Sequence, residues 1–168
     1  SFEYPLTGGD MTNAEVSLCM VGPLLRRHLA PSDPLTGYPD SLDDPALSMQ
    51  ALRGYLTGSI DAVLRIRRDD GPPRYLVVDY KTNWLGGFDG EVLKIGDYTP
   101  TRMTAAMMSA HYPLQALLYA VAVHRMLRWR QPDYDPAVHL GGILYLFVRG
   151  MAGPETPRVD GAPCGVFS

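Results

Sequence analysis

Hydrophobic and polar positions divide the chain into stretches of different texture. Residues 7 to 50 are rich in Gly, Pro, Asp and Ser, interrupted by an apolar, helix-like segment from Val16 to Leu29 that contains Arg26 and Arg27. Pro31-Ser32-Asp33-Pro34 through Asp43-Asp44-Pro45 then reads as an exposed connection, because Pro and Asp favour turns. From Leu52 the pattern changes. Leu56, Ile60, Val63, Leu64 and Ile66 form a β-rich run, Asp69-Asp70-Gly71-Pro72-Pro73 punctuates it, and Tyr75-Leu76-Val77-Val78 begins a second run. Two strands joined by a hairpin are predicted. After a Gly-rich loop from Trp84 to Gly96 come Thr101 to Ser109 and then Tyr112 to Arg130. The last of these is apolar nearly all round between Leu114 and Val123, which predicts a buried helix. Pro113 suits its first turn, and Arg125, Arg128 and Arg130 fall near its C-terminal end, where the dipole favours cations. A final β run from Gly142 to Val148 leads into a Gly/Pro tail. Strand, hairpin, strand, long helix and strand in that order fit an α/β sheet with a crossover helix.

Composition narrows the function classes. The 168 residues are 46% hydrophobic, as in an ordinary globule of one domain. No run approaches the ~18 apolar residues of a membrane span, and the opening Ser1-Phe2-Glu3-Tyr4-Pro5-Leu6 lacks a basic n-region, so a cytoplasmic protein without a membrane partner is expected. Cys19 and Cys164 stand alone, which suggests neither a disulfide framework nor zinc. His28, His111, His124 and His139 show no metal-ligand spacing. The net charge of −3 argues against a protein that coats nucleic acid generally, but the sum hides an asymmetry. Residues 1 to 50 hold two basic and seven acidic residues, whereas 51 to 168 hold thirteen basic and eleven acidic. Lys81 and Lys94 are the only lysines, so chemistry that needs an ammonium has few places to be.

In Val77-Val78-Asp79-Tyr80-Lys81 the period of two puts Asp79 and Lys81 on one strand face, where the apolar run ends. Asp61, in Gly58-Ser59-Ile60-Asp61, is expected on the preceding strand and reaches the same mouth across the hairpin. Two carboxylates held close are costly unless a cation joins them, and an all-oxygen, partly hydrated site suits Mg²⁺. Such a metal acidifies bound water and polarises a phosphodiester, while Lys81 orients the nucleophile or stabilises the charged transition state. A bare D-x-K is a weak motif, and a surface ion pair is its simplest explanation. Its place at the end of a Val-Val strand, one hairpin after Gly-x-Ile-Asp, favours chemistry.

These residues resemble the PD-(D/E)xK nuclease superfamily and, within it, the C-terminal nuclease domain of the RecB family, the beta subunits of exodeoxyribonuclease V. The resemblance rests on Leu56-Thr57-Gly58-Ser59-Ile60-Asp61, on Val78-Asp79-Tyr80-Lys81-Thr82-Asn83-Trp84-Leu85-Gly86, and on Tyr112, Gln115 and Tyr119. His124-Arg125 and Gly141-Gly142-x-x-Tyr145-Leu146-Phe147-x-Arg149-Gly150 extend it. It implies a restriction-endonuclease-like core, a mixed sheet flanked by helices, over residues 52–151, preceded by a variable part (1–50) and followed by a tail (152–168). It implies that Asp61 and Asp79 ligate Mg²⁺ with the backbone carbonyl of Tyr80, and that Lys81 is the catalytic lysine. Gln115 and Tyr119, one helical turn apart, match the family's Q-x-x-x-Y motif beside the scissile strand; a buried amide and phenol satisfied in the core is the alternative.

The implied partners are DNA and the RecC-like and RecD-like subunits of a helicase-nuclease complex in double-strand break repair and recombination. ATP would belong to a helicase region absent from this chain, which has no G-x-x-x-x-G-K-[ST] loop. The family also places a His or Glu metal ligand on a helix upstream of the strand resembling Phe2-Glu3-Tyr4-Pro5. Glu3 is a poor substitute for it, so a segment truncated at both ends, with weak activity in isolation, is expected. A catalytically inactive module that docks DNA or partner subunits is the main alternative. A stand-alone Cas4-like nuclease fits less well, because two isolated cysteines cannot hold an iron-sulfur cluster.

Overall fold

The computed structural model describes residues 1–6, 16–87 and 91–168. Residues 7–15, in the Gly/Pro/Asp-rich stretch, and 88–90, in the expected Gly-rich loop, lie outside the described residues. The chain divides into two compact units, Ser1–Ser59 and Ile60–Ser168.

In the first unit, strand β1 (Phe2–Pro5) precedes helices α1 (Val21–His28), α2 (Tyr38–Ser41) and α3 (Pro45–Ser48), and strand β2 (Tyr55–Gly58) returns antiparallel to β1. The helix-like segment from Val16 is only partly helical: a 3₁₀ turn at Leu18–Met20 leads into α1. Arg26 near the end of α1 binds Asp40 at 2.7 Å and Asp43 at 2.5 Å, tying helix to connection. Leu18, Tyr38 and Leu42 are buried here. A Cβ on Gly58 would lie 2.6 Å from the end of the Phe2 ring, so any larger residue here would displace that ring from the β1–β2 pair.

That pairing corrects the expectation of one β run from Leu56 to Ile66. The run breaks after Gly58, and its second part pairs elsewhere, in the second unit. Strand β3 (Ala62–Arg68) forms a hairpin with β4 (Gly71–Lys81), whose turn is Asp69-Asp70. Pro72 and Pro73, expected as turn residues, lie inside β4 and form its bulge opposite Arg67, where a missing ladder donor is tolerated. Then come α4 (Pro100–Ser109), capped by the Thr99 hydroxyl, α5 (Tyr112–Arg130), α6 (Pro136–His139) and strand β5 (Leu140–Phe147). The expected tail supplies a small hairpin of β6 (Arg158–Val159) and β7 (Ala162–Pro163), and then β8 (Val166–Phe167).

The main sheet has the order β3-β4-β5-β8, with β4 and β5 parallel and both outer pairs antiparallel. The second unit is therefore α/β with a mixed sheet, and the helices between β4 and β5 make the crossover that parallel strands require. Along β4, Val77, Asp79 and Lys81 are buried while Arg74 and Tyr80 on the other face are exposed. Helix α5 packs against β5 and α4 against α5 and β8. Val77, Met103, Met107, Val123, Leu127, Tyr145 and Phe147 form much of the core. The last three residues of α5, Arg128, Trp129 and Arg130, are exposed, Trp129 by 80%. Among the described residues no helix is long and apolar enough to cross a membrane.

Candidate active site

Asp79 and Lys81 sit near the end of β4, a central strand, and the register Asp79↔Tyr145 and Lys81↔Phe147 places β5 beside them. This location buries both charges: Asp79 is 4% exposed and Lys81 9%. Lys81 Nζ lies 2.5 Å from Asp79 Oδ2. The contact is an ion pair by distance only, since Oδ2 accepts no hydrogen bond of acceptable geometry.

The helix closes the arrangement. Lys81 Nζ donates to Gln115 Oε1 (2.9 Å), Gln115 Nε2 donates to the Tyr119 hydroxyl (3.0 Å), and that hydroxyl donates to Asp79 Oδ1 (3.3 Å). Four side chains, two from the strand and two from one face of α5, thus form a ring of polar contacts. The spacing of four along α5 is what lets Gln115 and Tyr119 reach Lys81 and Asp79 together. Burial, then the negative charge of Asp79, pushes the Tyr119 hydroxyl up to about 12, with Asp61 adding in the same sense. Burial and Asp79 also hold the Tyr145 hydroxyl far above the usual tyrosine range.

Asp61 is placed differently from the expectation. It is exposed and stands immediately before β3 rather than within a strand. The register pairing Ala62 with Val78 nevertheless brings it alongside Asp79 at the open end of the hairpin. Its Oδ2 accepts the Tyr80 N–H at 2.9 Å, a bond that continues the ladder by one rung using a side chain. Tyr80 lies between the two acids with its ring exposed. All the expected site residues, Asp61, Asp79, Tyr80, Lys81, Gln115 and Tyr119, therefore converge on one end of one sheet. Among the described residues, no group of three or more His, Cys, Asp or Glu side chains surrounds a common metal position. The oxygen donors expected as ligands from the sequence are the Asp61 and Asp79 carboxylates and the Tyr80 carbonyl.

Sequence reasoning assigned no role to Tyr112, Tyr145 or Asn83. Lys81 Nζ rests 3.8 Å from the Tyr112 ring centroid and 5.1 Å from that of Tyr145, and the two rings stack at 5.8 Å. Tyr145 donates to the Tyr112 carbonyl (3.0 Å), and Tyr112 donates to Asn83 Oδ1 (3.1 Å). Aromatic faces attract a desolvated ammonium, so the pair helps hold Lys81 in addition to the carboxylate and the amide. Tyr112 was detectable, because it lies three residues before Gln115 on the same helical face; Tyr145 needed the β4–β5 register. Two histidines engage Tyr134: His124 Nδ1 bonds the Tyr134 hydroxyl (3.0 Å), and buried His139 packs on the same ring.

No family model matches the chain. Curated relatives do. The protein named RecBCD enzyme subunit RecB of Mycolicibacterium smegmatis is 55% identical over 99% of this chain and 15% of the relative. The subunit of the same name from Mycobacterium tuberculosis is 56% identical over 99% of this chain and 14% of its own length. That from Escherichia coli is 44% identical over 67% of this chain and 9% of the relative. The chain spans about 15% of the length of the curated relatives it matches. High identity sustained along nearly all of its residues shows that the chain belongs to the RecB family, matching one segment of that subunit.

Proposed function

We propose that this chain carries a Mg²⁺-dependent site that hydrolyses DNA phosphodiester bonds, a PD-(D/E)xK nuclease module. It would act within a RecB-type subunit in double-strand break repair and recombination. The observation that carries the reading is Asp79 Oδ2, a buried carboxylate oxygen beside a lysine with no hydrogen bond. Buried polar groups are normally satisfied, and leaving one unpaired costs about 1–3 kcal/mol. A cation offsets that cost, and the neighbouring donors fit one of hard character. Asp61 and Asp79 would hold Mg²⁺ with the Tyr80 carbonyl, and water would fill the remaining positions. Bound there, the metal supplies an acidified water and polarises the phosphate.

The protein's own groups have separable roles. Lys81, held by Gln115 and cushioned on Tyr112, presents a fixed positive charge where negative charge grows in the transition state. Gln115 positions Lys81 and Tyr119 at once. Tyr119, with its hydroxyl raised to about 12, keeps its proton at neutral pH and serves as a donor to Asp79, not as a base. DNA is the proposed substrate, RecC-like and RecD-like subunits the proposed partners, and the cytoplasm the proposed location; ATP would act only at a helicase region outside these residues.

The test compares degradation of linear DNA by wild type, Asp79→Ala and Lys81→Ala, in Mg²⁺ and in EDTA, for the chain alone and within a full-length RecB-type subunit. Expected is metal-dependent cleavage by the wild-type subunit that either substitution abolishes, with ATP-driven unwinding retained. Near wild-type cleavage by both variants would overturn the assignment. DNA binding by the wild-type subunit without cleavage would instead favour an inactive docking module.

A further inference from the structure

We infer that the β3–β4 hairpin carries a second, phosphate-binding site, separate from the carboxylates, that holds the backbone of the DNA strand running toward them. Its identity as a DNA site rests on the nuclease reading above. The observation is a cleft of about 320 Å³ lined by Arg65, Arg67, Arg68, Gly71 and Pro73. Three guanidinium groups converge there, and no carboxylate lines the cleft. Among the described residues none of the three makes an ion pair, although Asp69 and Asp70 occupy the adjoining turn. Other arginines of the chain do find acids: Arg26 takes Asp40 and Asp43, and Arg102 takes Asp97 at 2.6 Å.

The backbone explains the convergence. Strand alternation puts Val63, Arg65 and Arg67 on one face, the face that carries Tyr75, Val77 and Asp79 on β4. Between the pairs Ile66↔Arg74 and Arg68↔Gly71 it is β4 that carries the extra residue, Pro72 and Pro73 opposite Arg67 alone; such bulges bend the strands and re-aim side chains, and here Arg68 lines the cleft with Arg65 and Arg67. Pro72 and Pro73 occupy β4 at the same level, and Gly71, at φ +141°, leaves the floor of the cleft without a side chain.

The site is aligned with the proposed chemistry. β3 begins at the residue after Asp61, and at ~3.3 Å per residue Arg65 and Arg67 stand about 13 and 20 Å along the strand from it. A nucleic-acid strand lying along β3 would meet cations before the carboxylates, which by themselves repel it. Arginine forks match phosphate oxygens in pairs. Charges on an edge strand also guard against edge-to-edge association, and β3 is an edge with Val63, Leu64 and Ile66 exposed. Guarding, however, calls for charges along the edge, not for three of them gathered over one cleft.

The test measures binding of a fluorescein-labelled oligodeoxynucleotide to the full chain in EDTA, across a KCl series, with cleavage by the same proteins followed separately in Mg²⁺. Each phosphate contact adds about 0.7 to the slope of log affinity against log salt for single strands. Arg65→Ala/Arg67→Ala/Arg68→Ala is therefore expected to reduce the slope by about 2 and to weaken binding roughly tenfold or more at low salt. The Lys triple variant should keep the slope, and thermal melts of both should match wild type, since the three side chains are exposed. Unchanged slope and affinity in the Ala variant, or no DNA binding by the wild-type chain, overturns the cleft. Aggregation of the Ala variant with unchanged binding assigns the arginines to edge protection and overturns it too. Arginine-dependent binding by a protein in which Asp79→Ala leaves cleavage unaltered would instead reject the nuclease reading while the cleft stands.

Discussion

Replacing Lys81 by Met tests the charge balance at the centre of the site. Met keeps the length and apolar stem that packs on the Tyr112 ring but removes the ammonium 2.5 Å from Asp79 Oδ2. Asp79, 4% exposed, then keeps only the Tyr119 hydroxyl, a neutral donor at 3.3 Å. Breaking one side of a buried pair leaves an uncompensated charge and costs about 3–5 kcal/mol. With an m-value of about 2 kcal/mol/M, the urea midpoint in EDTA should fall by roughly 2 M. The double variant Asp79→Asn/Lys81→Met removes the stranded charge and should recover most of that loss, a coupling of about 2 kcal/mol or more in a double-mutant cycle. Divalent metal should act similarly. With the competing ammonium gone, Mg²⁺ at about a hundred times its dissociation constant would restore about 2.7 kcal/mol, more than it adds to wild type. Denaturation by urea, with and without Mg²⁺, reads all three quantities. Equal midpoints for wild type and Lys81→Met in EDTA, or additive single and double variants, would refute the view that Lys81 balances Asp79.

Asp61→Asn retains an oxygen that can accept the Tyr80 N–H, so its melting should stay near wild type while cleavage is lost; Asp61→Ala should lower both, with a stability cost of about 1 kcal/mol. Tyr119 titrates at about 12 in the folded chain against 10.0 ordinarily, so the native state holds a proton that the unfolded state releases between these values. Its stabilisation is therefore complete below pH 10 and disappears as pH rises toward 12, by up to about 2–3 kcal/mol. In Tyr119→Phe the loss of stability between pH 9 and 11, followed by urea denaturation, should be smaller by about 1.3 kcal/mol, roughly half of the full amount, and cleavage should fall more than stability. Gly150→Ala should destabilise by about 2–4 kcal/mol, because the added Cβ would lie 2.4 Å from the Tyr98 side chain; a thermal melt at wild-type temperature would contradict the packing described.

The sequence was most informative where one local pattern decided the outcome. The α5 helix runs from Tyr112 to Arg130 as its apolar pattern and Pro113 indicated, and Asp79 and Lys81 share a face because alternation along a strand leaves no other choice. It was least informative where partners are distant. Leu56 to Ile66 looked like one run, since nothing local says that Gly58 serves the Phe2 ring while Ala62 starts a different pairing. Pro72 and Pro73 signalled a turn, yet they form a bulge inside β4 opposite Arg67. The support that Tyr145 gives Lys81 depends on the parallel register between strands far apart in the chain.

That register also has a consequence in time. Tyr75 pairs with Leu140, 65 positions later, and every rung of the β4–β5 ladder joins residues at least that far apart. During synthesis at roughly 5–20 residues per second, β4 waits on the order of 3–13 s for its partner to be made. The β3–β4 hairpin can form at once, because its rungs are local, but without β5 and α5 it would leave Asp79 and Lys81 in water, with neither ring nor amide to hold them. An order of assembly follows in which the arginine-bearing edge exists first and the polar ring of Asp79, Lys81, Gln115 and Tyr119 is completed last, so on the proposed reading a half-made chain would meet a polyanion before it could cut one.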